Sequence, residues 1–140
     1  MNNHLPTISI ITINLNNSIG LNRTLESING LKFREFELIV IDGNSSDGSQ
    51  DICGKYNFLI NHFVSENDRG IYHAMNKALK LSEGQGNIFL NAGDIFSGQI
   101  LSNNLVIPSL IDVYFKNIIS KKFKKKNYTF YKNLIYSNKK

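Results

Sequence analysis

The sequence predicts an α/β domain, a mostly parallel central sheet with flanking helices. Two observations read from the residues carry this expectation. Short β-branched runs alternate with segments of helical period from residue 7 to residue 90, and every run ends in a cluster of polar residues. Parallel neighbours need crossover connections, usually helical, and the intervals between the runs are long enough to supply them.

Thr7 to Ile13 is the first run, bounded by Pro6 and by Asn14 to Ser18, and reads as a strand buried on both faces. Leu21, Leu25 and Ile28 then recur at helical spacing, with Asn17 or Ser18 as the cap and Gly30 as the stop. Glu37 to Ile41 is the second strand, ending in Asp42-Gly43. Ser46 or Asp47 is expected to cap a short helix that carries Ile52 and Cys53 and ends near Tyr56. Phe58 to Val64 is the third strand. Gly70 to Glu83 places Ile71, Met75, Ala78 and Leu79 on one face, and Gly84 suits the left-handed residue that closes many helices. Asn87 to Leu90 is the fourth strand, followed by the turn Asn91-Ala92-Gly93-Asp94.

The composition fits one globular core: 140 residues, 41% hydrophobic, with 10 Gly and 2 Pro. Cys53 is the only cysteine, which excludes an intrachain disulfide and leaves it as a small buried apolar residue. The N-terminus lacks a basic start, and no apolar run reaches the roughly 18 residues of a membrane span, so a soluble, cytoplasmic chain is expected. Charge is uneven. Residues 1–112 carry 7 Lys or Arg against 11 Asp or Glu, whereas residues 113–140 carry 9 Lys and no acid. The basic segment interleaves lysines with Tyr114, Phe115, Ile118, Ile119 and Phe123, a pattern suited to an anionic membrane surface or to a solvated terminus. Nucleic acid is the weaker partner, since the body is acidic and shows no nucleic-acid-binding module.

In open α/β sheets ligands bind beyond the carboxyl ends of the strands. There this chain gathers Asn14 and Asn16, Asp42 and Asn44, Glu66, Asp68 and Arg69, and Asn91 and Asp94. No glycine fingerprint follows the first strand and no Walker lysine occurs, which argues against a dinucleotide enzyme or a P-loop ATPase. Any nucleotide phosphates must be held otherwise. Asp94 is either the ligand of a Mg²⁺ or Mn²⁺ ion shared with them or the cap of a following turn.

Pro6 to Thr12 with Asn14 and Asn16, Asp42 to Ser49, Ser65 to Ala78, and Phe89 to Asp94 together resemble the four ordered motifs of the family 2 glycosyltransferases, and the last two are most similar to bacterial surface-polysaccharide members. The resemblance implies a GT-A fold, a nucleoside diphosphate sugar, a Mg²⁺ or Mn²⁺ cofactor and inverting transfer. It implies that Thr12 and Asn14 line the nucleotide pocket and that Asp42 hydrogen-bonds the base, usually uracil. Asp68 and Arg69 complete the nucleotide side, while Asn76 and Lys77 border the sugar diphosphate. Asn91 takes the first acidic place of the Asp-x-Asp position, leaving Asp94 as main metal ligand. His73 stands where relatives carry Asp and is expected to be an exposed helix residue without a role.

Inverting transfer needs a carboxylate to deprotonate the acceptor. The chain ends 46 residues after Asp94, and Asp112 is the one acid in that stretch. Asp112 is thus the sole candidate base, although Asp112 to Phe115 also reads as a strand, and Tyr128 to Tyr136 as one or two edge strands. The expectation is a nucleotide-sugar domain over residues 1–112 and the start of an incomplete acceptor half over 113–140. Two functions stay open. One is a sugar transferase of cell-surface polysaccharide assembly, acting on a glycan or lipid-linked acceptor at the inner face of the plasma membrane, with weak or no transfer by this short chain. The other is a noncatalytic nucleotide- or anion-binding module with a membrane-associating tail.

Overall fold

The computed structural model describes Pro6 and residues 8–96. In chain order the elements are β1 (Ile8–Asn14), α1 (Ser18–Asn29), β2 (Phe36–Asp42), α2 (Ser49–Lys55), β3 (His62–Ser65), α3 (Ile71–Leu81) and β4 (Gly86–Phe89). Every strand pairing is parallel and the sheet order is β3-β2-β1-β4. The winding runs from β1 through β2 to β3, then jumps back across to β4 on the other side of β1. A right-handed crossover must change face when the direction of travel reverses. Accordingly α1 and α2 cover one face and α3 the other.

The alternation of side chains along β1 and β2 feeds both faces. Ile8, Ile10, Leu38 and Val40 pack with Leu21, Leu25 and Ile28 of α1 and Cys53 of α2. Ile11, Ile13, Ile39 and Ile41 pack with Ala74, Met75 and Ala78 of α3. Each fully buried Leu or Ile contributes about 1.5–3 kcal/mol, so this two-sided burial makes β1 and β2 the rigid centre from which the strand ends project. Asn17 caps α1, its side chain accepting the Gly20 N–H, as the sequence predicts. Among the described residues no helix is long and apolar enough to cross a membrane.

Three local expectations are corrected. The third strand starts at His62, not Phe58. Asn61 sets that start by exchanging hydrogen bonds with the backbone of Leu38, whose C=O accepts its N–H at 2.9 Å and whose N–H donates to its Oδ1 at 2.8 Å. Leu59 and Ile60 are apolar because they pack on the α1 and α2 side as a loop. The residue capping α2 is Gly48, with φ of 90°, while Asp47 instead accepts the Ser49 N–H from one position further out. Helix α3 closes through an extended Ser82, not a left-handed Gly84. Gly84 is required for close approach, since a Cβ there would lie 2.5 Å from the Ser9 backbone nitrogen.

That approach is fixed by Glu37, a buried acid at the amino ends of the strands. Its Oε1 accepts from Ser9 Oγ at 2.5 Å, from the Glu83 N–H at 2.6 Å and from the Gly84 N–H at 3.1 Å. Asp112, the expected strands 112–115 and 128–136, the domain boundary at 112 and the basic segment 113–140 lie outside the described residues.

Candidate functional site

At the carboxyl end of the sheet the loops after β1 and β2 are stitched together. The Asp42 carboxylate is fully buried and accepts from Asn14 Nδ2 at 2.8 Å, Ser45 Oγ at 2.6 Å, the Ser45 N–H at 2.9 Å and Ser65 Oγ at 2.7 Å. Burial pushes its pKa up, but the donors from Ser45, Asn14 and Ser65 together outweigh burial and hold it below the usual carboxylate value. Ser45 Oγ also accepts the Asn16 N–H at 2.8 Å, and Asn16 Oδ1 accepts the Ser46 N–H at 2.9 Å. Asn16 and Asn44 have φ of 48° and 61°, in the left-handed region that asparagine tolerates better than most residues.

The geometry sets three of the expected residues inside the protein. Asp42 offers no open acceptor to a base, because four protein donors occupy its two oxygens. Thr12 and Asn14 are 0% and 2% exposed, because the register pairs Asn14 directly with Asp42 and continues the sheet past the expected end of β1. They support the crevice from inside. Thr12 Oγ1 and Asn14 Oδ1 are buried without a hydrogen-bond partner among the described residues.

The β3–α3 loop is held from its own helix. Lys77 Nζ donates to Asp68 Oδ1 at 2.5 Å, to Glu66 Oε1 at 2.7 Å and to the Asn67 carbonyl at 3.4 Å. Those contacts, Asp68 first, raise the Lys77 pKa, and the ammonium in turn lowers that of Glu66. Lys77, expected to border a diphosphate, directs its ammonium to this loop. His73 Nδ1 accepts the Arg69 N–H at 3.1 Å and stands 3.5 Å from Asp68 Oδ1. Arg69 and Asn76 remain exposed.

The turn after β4 faces α1. Leu90 and Ala92 continue the ladder, their N–H groups donating to the Ile11 and Ile13 carbonyls, and the Asp94 N–H closes the turn on the Asn91 carbonyl at 2.9 Å. Asn91 Oδ1 is buried with no partner among the described residues, and Asp94 is half-buried on the same turn. Among the described residues no three His, Cys, Asp or Glu side chains gather to enclose a metal ion. One carboxylate with an unpartnered amide oxygen on a single turn fits a hard cation that takes the rest of its shell from a diphosphate and water.

Two residues escape the sequence reading. Leu15 is 64% exposed, yet its Cδ1 would lie 3.0 Å from a Cβ at Gly43, and Asp68 Oδ2 would lie 3.5 Å from the same point. An apolar side chain, a bare backbone and a carboxylate oxygen thus meet at the crevice edge. An exposed leucine inside an asparagine cluster was the available signal.

Comparison with known proteins adds three findings. The sequence profile of glycosyl transferase family 2 matches residues 9–103. Among curated relatives, a glycosyltransferase of Mycobacterium tuberculosis is 38% identical over 94 residues, covering 66% of this chain and 36% of its own length. A Bacillus subtilis glycosyltransferase named for teichuronic acid biosynthesis is 30% identical over 108 residues, covering 75% of this chain and 43% of its own. The chain therefore spans about a third of the length of the first of these relatives. Among solved structures, residues 1–349 of Staphylococcus aureus TarS in complex with UDP-GlcNAc superpose with a TM-score of 0.63 at 25% identity, covering 82% of this chain and 31% of that one. A Pyrobaculum calidifontis mannosyltransferase in complex with GDP-Man and Mn²⁺ has a TM-score of 0.62 at 22% identity, covering 69% and 30%. The latter shows the shared fold.

Proposed function

The chain belongs to glycosyl transferase family 2, and from that premise we propose that residues 8–96 form the donor side of an inverting transferase that takes its sugar from a nucleoside diphosphate, with UDP the favoured carrier. The observation that carries the reading is the crevice where strand order reverses, between β1 and β4. Ligands of open α/β sheets bind at such a switch point. The turn after β4 that bounds it carries, on Asn91, an amide oxygen with no partner among the described residues, on the same turn as Asp94. Native proteins pair nearly all such groups, so this one suits a polar ligand with its water.

The residues divide the work. Leu15 and Gly43 offer a flat apolar edge to a base, with Asp68 Oδ2 as acceptor beside it. Asp42 and Asn14 set the height of that edge, and Lys77 and His73 hold Asp68 and Arg69 toward it. Arg69 and Asn76, both exposed, are left for the phosphates and the sugar. Asp94, aided by Asn91, is the place for Mg²⁺ or Mn²⁺, which when bound neutralises the departing diphosphate. The acceptor, a glycan or lipid-linked sugar of a surface polysaccharide, and the base that deprotonates it belong to no described residue. Assembly at the inner face of the plasma membrane, with the lysines of 113–140 on anionic lipid, is part of the same proposal.

Calorimetric titration with UDP and GDP, each with Mn²⁺ and with chelator, tests this reading. UDP binding that is strengthened by Mn²⁺ in the wild type and indifferent to it in Asp94→Ala is the expected result. Affinity for neither nucleotide under any condition would overturn it.

A further inference from the structure

We propose that Thr24 of α1, outside every expected motif, is a positioning residue that fixes the turn bearing Asp94; the proposal rests on the cation reading of Asp94 given above. Thr24 is 0% exposed, and its Oγ1 accepts the Gly93 N–H at 2.9 Å. The same oxygen lies 2.7 Å from the Asp94 carbonyl, 3.1 Å from that of Gly20 and 3.3 Å from that of Asn91. A hydroxyl has one proton to give. The Gly20 carbonyl is four residues back in the helix, where backbone bonding already engages it, and the shortest approach is to Asp94. One side chain therefore takes the N–H of Gly93, the residue before Asp94, and gives to the carbonyl of Asp94 itself, gripping the backbone to either side of the Asp94 Cα.

Thr24 is one of three hooks on a single face of α1. Asn17 Nδ2 donates to the Ala92 carbonyl at 3.1 Å, and Ser27 Oγ accepts the Phe96 N–H at 3.3 Å. Residues seven and ten apart share a helix face, so positions 17, 24 and 27 form a polar stripe beside the apolar Leu21, Leu25 and Ile28. Their partners, Ala92, Gly93 with Asp94, and Phe96, follow in the same order along the turn. A lone carboxylate site gains from such rigidity, because a cation shared with a mobile diphosphate needs its one protein anion held in place.

The test compares Thr24→Val, which keeps shape and loses the hydroxyl, with Thr24→Ser, which keeps it. Asn17→Ser is the second variant, since serine still caps α1 but no longer reaches Ala92. UDP affinity is measured calorimetrically on the full chain with Mn²⁺ and with chelator, and thermal melts accompany each titration. In Thr24→Val the Mn²⁺-dependent gain in UDP affinity should fall about tenfold while affinity in chelator stays within about twofold. Thr24→Ser should keep the gain, and Asn17→Ser should lose part of it. A Mn²⁺ response that survives in both Thr24→Val and Asn17→Ser, or a loss in Thr24→Val matched by Thr24→Ser, would overturn the inference alone. Wild-type UDP binding indifferent to Mn²⁺ would overturn the cation reading and this inference with it.

Discussion

Lys77 Nζ and Asp68 Oδ1 meet at 2.5 Å, joining the second turn of α3 to the loop that precedes the same helix. The lysine is thereby a strut for the β3–α3 loop, the edge proposed to meet the base, with Glu66 as its second foot.

Replacing Lys77 by Met should accordingly weaken UDP binding several-fold, with little change in the Mn²⁺ dependence. The loop would lose its cation while the Asp94 turn stays anchored to α1. Calorimetry in Mn²⁺ and in chelator separates the two. Equal loss of both quantities would show that Lys77 itself faces the diphosphate.

Asp42 should behave as a keystone of the fold. Asp42→Ala strands the donors of Asn14, Ser45 and Ser65 and should cost about 2–4 kcal/mol in urea unfolding, the scale for breaking a buried charged network. Nucleotide affinity of the remaining folded protein is the control, and a stability change below about 0.5 kcal/mol would remove Asp42 from this role.

The same residue sets an acid limit. Its folded pKa lies below the unfolded value, so the folded protein binds that proton less readily than the unfolded chain. The stabilisation is then complete above the unfolded value of about 3.9 and is lost as pH falls through the lowered folded value. Urea midpoints should drop below about pH 4 in the wild type, and by less in Asp42→Asn.

Cys53 should be inert in the native state. Burial, then the nearby Asp42 charge, push its thiol up to about 12, so almost no thiolate exists at pH 8. Ellman's reagent should react only as the protein unfolds, and rapid labelling without denaturant would refute the packing around α2.

Two glycines make a paired stability test. Gly84→Ala meets backbone at 2.5 Å and should cost about 1–3 kcal/mol as a forced shift of β1 against the loop. Gly48→Ala has open space but a φ of 90°, and should cost about 1 kcal/mol, the price of a left-handed alanine. Thermal melts of both variants rank them.

The sheet was legible because β-branched runs such as Ser9–Ile13 and Leu38–Ile41 and the helical face Leu21, Leu25, Ile28 each have a single period. The candidate crevice was legible as well, since polar residues mark the strand ends. Side-chain direction was not legible. Whether Asn14 and Asp42 look into the crevice or into the protein depends on a register that extends one residue past the apolar run, and no local pattern reports it. The contacts of Lys77 were hidden for a related reason: a motif names residues near a ligand without saying what each of them touches. Thr24 was invisible because its partners lie about seventy residues away and are all backbone atoms, which carry no sequence signal.

Asn17 divides one amide between two tasks, its oxygen capping α1 and its nitrogen gripping the Ala92 carbonyl. Hydrolytic deamidation of that exposed side chain would exchange the nitrogen for a second oxygen. Aspartate is an equally good helix cap, so spectroscopy and melting would register little. Yet a new anion would face the Ala92 carbonyl beside Asp94, with no donor left to hold it. A stored sample can therefore age at the turn proposed to hold a cation while every measure of folding still calls it intact.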